Sequence, residues 1–236
     1  MGRVFMSGIV PQKVAPITFK PNFADNDWST IIKACQTNKV PDTWTVGSQK
    51  IMTINGTDYV IDIIGKNHDD YADGSGKAPL TFQMHDCYKA TYQIHNAINQ
   101  NIGWNACDMR NTHLPIILAL MPIEVQNGIK EVTKYAGGTM YAGASASTDK
   151  LFLLSTIEVA GENGLQYATT GEGTQYDYYK AGNSSIKMFD GSARAWWTRS
   201  RNATSDSYWC VINAAGQARY MSEHTTMHGV AFAFCF

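Results

Sequence analysis

SSIKMFDGSARAWWTRSRNATSDSYWCVINAAGQARYMSEHTTMHGVAFAFCF, residues 184–236, carries two apolar anchors with a polar, aromatic-rich span between them. The first anchor is Trp196-Trp197; the second is the alternating run Val230, Phe232, Phe234 and Phe236. Large aromatic side chains spaced in this way suit strands of a small sheet, where their area supplies much of the burial. The plain reading of both tryptophans is core. Between the anchors lie Arg201, Asn202, Thr204, Ser205, Asp206, Ser207, Tyr208, Trp209, Asn213, Arg219, Tyr220, Ser222, Glu223, His224, Thr225 and His228. Adaptable binding surfaces use Tyr, Trp, Arg, Ser and Asn, because rigid aromatics give contact area at small entropic cost and small polar groups adjust their hydrogen bonds. A solvated strand-and-loop region has a similar composition, so these residues alone make the span a candidate ligand surface and no more.

Working back from this stretch, the chain reads as one mixed α+β domain with short antiparallel sheets, two or more helices and long loops. Residues 1–23 hold three prolines, Pro11, Pro16 and Pro21, and few periodic apolar positions. That profile predicts an extended attachment or oligomerisation arm ahead of a domain spanning 24–236. Trp28, Ile31, Ile32 and Cys35 recur at helical spacing, with Asp25 or Asp27 placed to cap the start. VGSQKIMTINGTDYVIDIIG (46–65) alternates around Asn55-Gly56, the dipeptide of a type I′ turn, and predicts a hairpin. A strand follows at Leu80–Met84. Tyr88–Ile98 and Pro115–Tyr135 show helical spacing, the latter broken near Pro122. Beyond Gly137 the signals are short strands and turns, with LFLLS (151–155) the most apolar.

Size and charge narrow the function classes. A chain of 236 residues buries an apolar core without needing a disulfide or a metal. Charged residues make up 17% of it, below the roughly 25% of an average soluble protein. The 19 Lys plus Arg nearly balance 20 Asp plus Glu, so no global field draws the chain to nucleic acid or an anionic membrane. No run approaches the roughly 20 apolar residues of a membrane span, and Arg3, Pro11, Lys13 and Pro16 interrupt any signal-peptide core. Cytoplasmic synthesis is expected. The five cysteines, Cys35, Cys87, Cys107, Cys210 and Cys235, are scattered without a CxxC pair and are expected to be mostly reduced and buried.

Signals for catalysis are absent or poor. Asn67-His68-Asp69-Asp70 followed by Asp73-Gly74-Ser75-Gly76 places oxygen donors around a glycine turn, which makes Asp69, Asp70 and Asp73 candidate cation ligands. The spacing is not that of an EF-hand, and a hydrogen-bonded turn explains the same residues. None of the six histidines forms HExxH, and His224 and His228 read as exposed loop residues. GEGTQY (171–176) lacks the Lys-Ser/Thr of a phosphate loop, and no GxSxG elbow occurs. Neither a catalytic residue nor a cofactor is expected.

Five ordered blocks carry a family likeness: NHDDYADGSGKAPLTF (67–82), STDKLFLLS (147–155), GEGTQYDYY (171–179), WWTRS (196–200) and GVAFAFCF (229–236). Together they resemble an uncharacterised bacterial and phage domain family whose members carry a WWLRS segment and end in GVxPAFCI. That family looks like the C-type lectin and formylglycine-generating-enzyme fold. Similar proteins include the variable proteins of diversity-generating retroelements, phage receptor-binding proteins among them. The resemblance implies a variable region over about 196–236 on a scaffold pinned by Trp196, Trp197 and the last strand. Its ligand-binding surface would comprise Thr198, Arg201, Asn202, Thr204, Asp206, Tyr208, Trp209, Asn213, Arg219, Tyr220, Ser222, His224, Thr225 and His228. Thr198 and Arg201 stand where members commonly have Leu and Pro, and read as diversified positions; Phe232 replaces a Pro and reads as repacking. The paired-cysteine copper site of formylglycine-generating enzymes has no counterpart.

The expected function is therefore a non-catalytic receptor-binding protein, a phage tail-tip adhesin or surface-displayed variable protein that contacts a host cell-surface protein or glycan. The arm would attach it to a virion tail or surface scaffold, or trimerise it. Its location would be the virion, with the bacterial cytoplasm or cell surface as alternatives. The rivals are a cation-dependent carbohydrate-binding module or enzyme of the same fold, using Asp69, Asp70 and Asp73, and a structural virion component without an external ligand. A lectin fold by itself does not imply sugar binding.

Overall fold

A computed structural model describes residues 18–97, 101–138, 142–218 and 220–236. Helix α1 spans Trp28–Gln36; the Asp27 carboxylate accepts the Thr30 N–H at 2.7 Å and so caps it. Trp28, Ile31, Ile32 and Cys35 form its buried face, and Asn38, left-handed at φ 51°, ends it. Strands β1 (Gln49–Ile54) and β2 (Thr57–Gly65) form the expected hairpin, with Asn55 and Gly56 both at positive φ. Then come β3 (Thr81–Met84), a π-turn at Met109–His113 running into α2 (Leu114–Ala119), and α3 (Ile123–Gly128). β4 (Val132–Gly137), β5 (Ala144–Asp149), β6 (Leu151–Phe152), α4 (Thr156–Ala160) and α5 (Asp177–Lys180) follow. The chain closes with β7 (Lys187–Phe189), β8 (Ser192–Arg194), β9 (Trp196–Arg201), β10 (Tyr208–Ile212), β11 (Tyr220–Glu223) and β12 (Ala233–Cys235).

The result is mixed α+β with short antiparallel sheets. The main sheet has the order β1-β2-β3-β12-β6, so the last strand lies inside it, between β3 and β6. This placement draws Phe234 and Phe236 onto Phe82 and Trp28; the Phe82 and Phe234 rings stack at 5.2 Å. A second sheet, β11-β10-β9, carries the polar span, and β4-β5 and β7-β8 are hairpins. All five cysteines are buried and free of disulfides. Of the proline-rich arm, residues 1–17 lie outside the described residues. Phe19 packs edge-on against Trp44, and Phe23 is in the core.

Two expected helical segments are corrected. Residues 88–97 form no helix; Ile98 lies outside the described residues. The N–H groups of Tyr88, Tyr92 and Ile94 donate instead to the carbonyls of Val230, His228 and His224. That pairing is long-range, and local spacing of apolar residues cannot report it. Val132–Tyr135 is likewise strand, the start of β4. Its inward positions are Val132, Lys134 and Ala136. A buried lysine in the middle hides the period-2 pattern from any hydrophobicity reading.

Candidate ligand-binding face

Every residue of β9 is buried, including the whole WWTRS block. The Trp196 indole N–H donates to the Ser185 carbonyl at 3.0 Å and that of Trp197 to the Tyr92 carbonyl at 2.8 Å. Arg199 uses all five of its donors. Its Nε reaches the Tyr135 carbonyl, Nη1 the Leu153 carbonyl and Glu158, and Nη2 the Glu172 carbonyl and Glu158. Glu158 also meets Lys134 at 2.6 Å, and Lys134 meets Asp69 at 2.6 Å. Asp69 further accepts from Thr81 and from the Tyr176 hydroxyl. Burial pushes the Asp69 carboxyl up, but the Lys134 ammonium and these donors outweigh it and hold it at about 2.

Glu172 ends this network. It accepts the Gly137 N–H at 2.5 Å and the Ser200 hydroxyl, and burial pushes its carboxyl up to about 7. Lys134 and Arg199 already balance Asp69 and Glu158, so a third negative charge there is uncompensated. The folded chain holds a proton that the unfolded chain releases near 4.5. Stability from this group is therefore complete below about 4.5 and lost as pH rises through about 7, an effect of at most about 3 kcal/mol. Glu172→Gln removes the ionisation and keeps an oxygen acceptor for the Gly137 N–H, while its amide NH2 stands in for the protonated oxygen that faces the Ser200 hydroxyl. Denaturant midpoints from pH 5 to 8 are expected to fall for the parent relative to the variant. The difference curve isolates Glu172 from every other titrating group; a flat one sinks the assignment.

The polar span divides sharply. Five of its proposed ligand contacts are buried, which corrects them as outward-facing groups: Thr198, Arg201, Asn202, Trp209 and His224. Thr198 donates to the Cys210 carbonyl, Arg201 Nη1 to the Asn202 carbonyl, and Asn202 caps Thr204. Strand alternation turns Tyr208 out and Trp209 in. Thr204, Asp206, Tyr208, Asn213, Tyr220, Ser222, Thr225 and His228 are exposed or half-exposed. Of these, Asn213 organises its own turn by accepting from the Ala215 and Gln217 N–H groups. Ser222 meets the His228 ring nitrogen at 2.9 Å. Neither His224 nor His228 is an exposed loop residue. His228 is half-buried edge-on against Trp197, and burial lowers it to about 4. Arg219 lies outside the described residues.

Thr204, Asp206, Tyr208, Tyr220 and Thr225 remain as outward groups. The structure adds Met221 and Met227, both exposed, which composition alone gave no reason to choose. Tyr208 and Met221 lie on one side of β10-β11, and Tyr220 on the other, at the edge strand. The surface therefore wraps an edge rather than forming one flat face.

The cation cluster is not assembled, which corrects that candidate. Asp69 is committed to Lys134, Asp70 pairs with Lys77 at the surface, and Asp73 accepts the Ser75 N–H at 2.9 Å. Among the described residues no three His, Cys, Asp or Glu side chains are grouped to hold a metal ion. Nor is any described helix long and apolar enough to cross a membrane. No curated protein and no solved structure matches the chain. Over residues 80–236, more than half of its length, it matches DUF6273, a domain of unknown function, and the chain belongs to that family.

Proposed function

We propose that the chain is a non-catalytic ligand-binding protein of C-type lectin-like architecture, diversified at its C-terminal surface and acting as a phage tail-tip adhesin or surface-displayed variable protein. Its partner is a host cell-surface protein or glycan. One observation carries the reading: Tyr208, Tyr220, Met221 and Met227 are large, exposed side chains on β10, β11 and the segment after them. Behind them stands a frame of buried tryptophans and a fully paired arginine. Rigid aromatics and adaptable methionines on such a frame are what a recognition surface needs.

Sequencing the DNA around the gene tests the diversification. A reverse transcriptase and a near-copy of the codons for about 196–236, differing at adenines, are expected. The mismatches should fall on Thr204, Asp206, Tyr208, Tyr220 and Thr225 and spare Trp209 and His224. Absence of both elements, or mismatches centred on the buried positions, rejects the reading. Binding is tested separately with arrayed glycans and bacterial surface extracts. Tyr208→Ala with Tyr220→Ala should weaken capture at least about tenfold while moving the Tm by only a few degrees, since neither side chain is core. Capture that survives the double substitution sinks the surface assignment.

A further inference from the structure

Four side chains leave polar atoms sealed from solvent and without a hydrogen-bond partner among the described residues: both ring nitrogens of His95, Nη2 of Arg201, Nε1 of Trp209 and Nε2 of His224. They lie together. Arg201 and Trp209 are opposite one another across β9 and β10, and Trp209 is opposite Ser222 of β11. His224 follows the end of β11, and its N–H donates to the Ser207 carbonyl, which carries the ladder one pair further and puts His224 on the same side as Ser222. Ile94 and His95 close over that side, their N–H groups both donating to the His224 carbonyl. The two imidazole centroids are 6.1 Å apart. Buried polar atoms are almost always satisfied, and an orphan is costly, most of all on a charged guanidinium. Several in one place mark a position where another group belongs.

The donor set says which group. Guanidinium and indole N–H groups only donate, and each neutral imidazole donates from one nitrogen. Burial and then the neighbouring His95 and Arg201 hold His224 below its ordinary value, so a positive field is already present. A guanidinium beside two open imidazoles disfavours a metal cation, and no third ligand completes a metal set among the described residues. A ring centroid lies roughly 4 Å from an oxygen hydrogen-bonded to that ring, so one oxygen can bridge rings at the observed separation.

We propose that His95, Arg201, Trp209 and His224 form a binding site for a small oxyanion, a carboxylate or a phosphate. Two internal carboxylates compete. Asp108 comes within 2.9 Å of the His95 Nδ1, close enough for an ion pair but not aligned for a hydrogen bond. Asp206 is in electrostatic reach of Arg201 and His224, yet accepts the Ser207 hydroxyl at 3.0 Å. The site is on the Trp209 side of the sheet, which Tyr220 shares only at the exposed edge strand, and none of its four residues belongs to the outward ligand surface, so the two proposals fail separately.

The test is an NMR titration of the full chain that follows the Trp209 indole proton and the His95 and His224 ring signals. Sodium phosphate, acetate and glucuronate are added in turn against chloride at constant ionic strength. A saturable shift is expected, with a midpoint in the millimolar range or below. Arg201→Gln should weaken it at least about tenfold, and His95→Gln serves as the second variant if the first does not fold. Saturation by phosphate and acetate alone identifies a free ion; saturation by glucuronate as well identifies the carboxylate of a larger acidic ligand. No saturation, equal binding in both variants, or a response to zinc and to no anion overturns the proposal. Binding that appears only in Asp206→Asn also overturns it, because Asp206 is then the native occupant.

Discussion

Arg199→Met is expected to destabilise the chain by about 3–5 kcal/mol, the usual cost of removing one partner from a buried ion pair. Total stabilities are commonly only about 5–15 kcal/mol, so much of the variant should be unfolded at moderate denaturant. The cause is specific. Arg199 satisfies both oxygens of Glu158 and the carbonyls of Tyr135, Leu153 and Glu172; Glu158, Leu153 and Glu172 are buried and have no solvent to turn to. With Arg199 gone, Lys134 alone faces the two carboxylates of Asp69 and Glu158. Adding Glu158→Met to Arg199→Met removes the stranded charge and leaves Lys134 paired with Asp69. The double variant should therefore regain part of the loss. Urea unfolding of parent, both single variants and the double gives the coupling directly. A single-variant loss under about 1 kcal/mol, the range of an exposed pair, would show that the network is not sealed.

How much of this was legible in the sequence depends on the distance over which each feature is made. The helix at Trp28–Gln36 and the hairpin around Asn55-Gly56 follow from local periodicity and turn chemistry. Ser155-Thr-Ile-Glu158 is a capping box, and Asp190-Gly191 joins β7 to β8 with both residues at positive φ. These two elements were also within reach of local rules, although composition suggested only strand and loop there. The polar blocks were not. Asp69 and Lys134 are 65 residues apart, Glu158 and Arg199 41. Nothing in one chain says which aspartate meets which lysine. An Asp-rich segment that resembles a cation loop therefore turns out to supply an internal counter-ion. The same holds at Tyr88–Ile94, whose backbone partners arrive from residues 224–230.

The polar span failed for a different reason: composition identifies a surface-like stretch but not which of its residues turn inward. Trp209→Ala is expected to cost about 3–5 kcal/mol, and Tyr208→Ala, one residue earlier, under about 1 kcal/mol. The Trp209 side chain is almost fully buried (2% exposed), opposite Arg201 and Ser222, whereas Tyr208 at the start of β10 is 36% exposed. Removing the indole leaves a cavity in the middle strand of a paired three-stranded sheet, and β9 and β11 on either side are held by their ladders and cannot collapse into it. Thermal or urea unfolding of the two single variants checks the contrast. If both are equally mild, the inner side of this sheet is loosely packed and Trp209 returns as a candidate contact. If the contrast holds, loss of attachment in a Trp209 variant reports only lost folding, and a position of such cost is closed to free diversification. Binding evidence must then come from Tyr208 and Tyr220, where recognition can change while the fold does not.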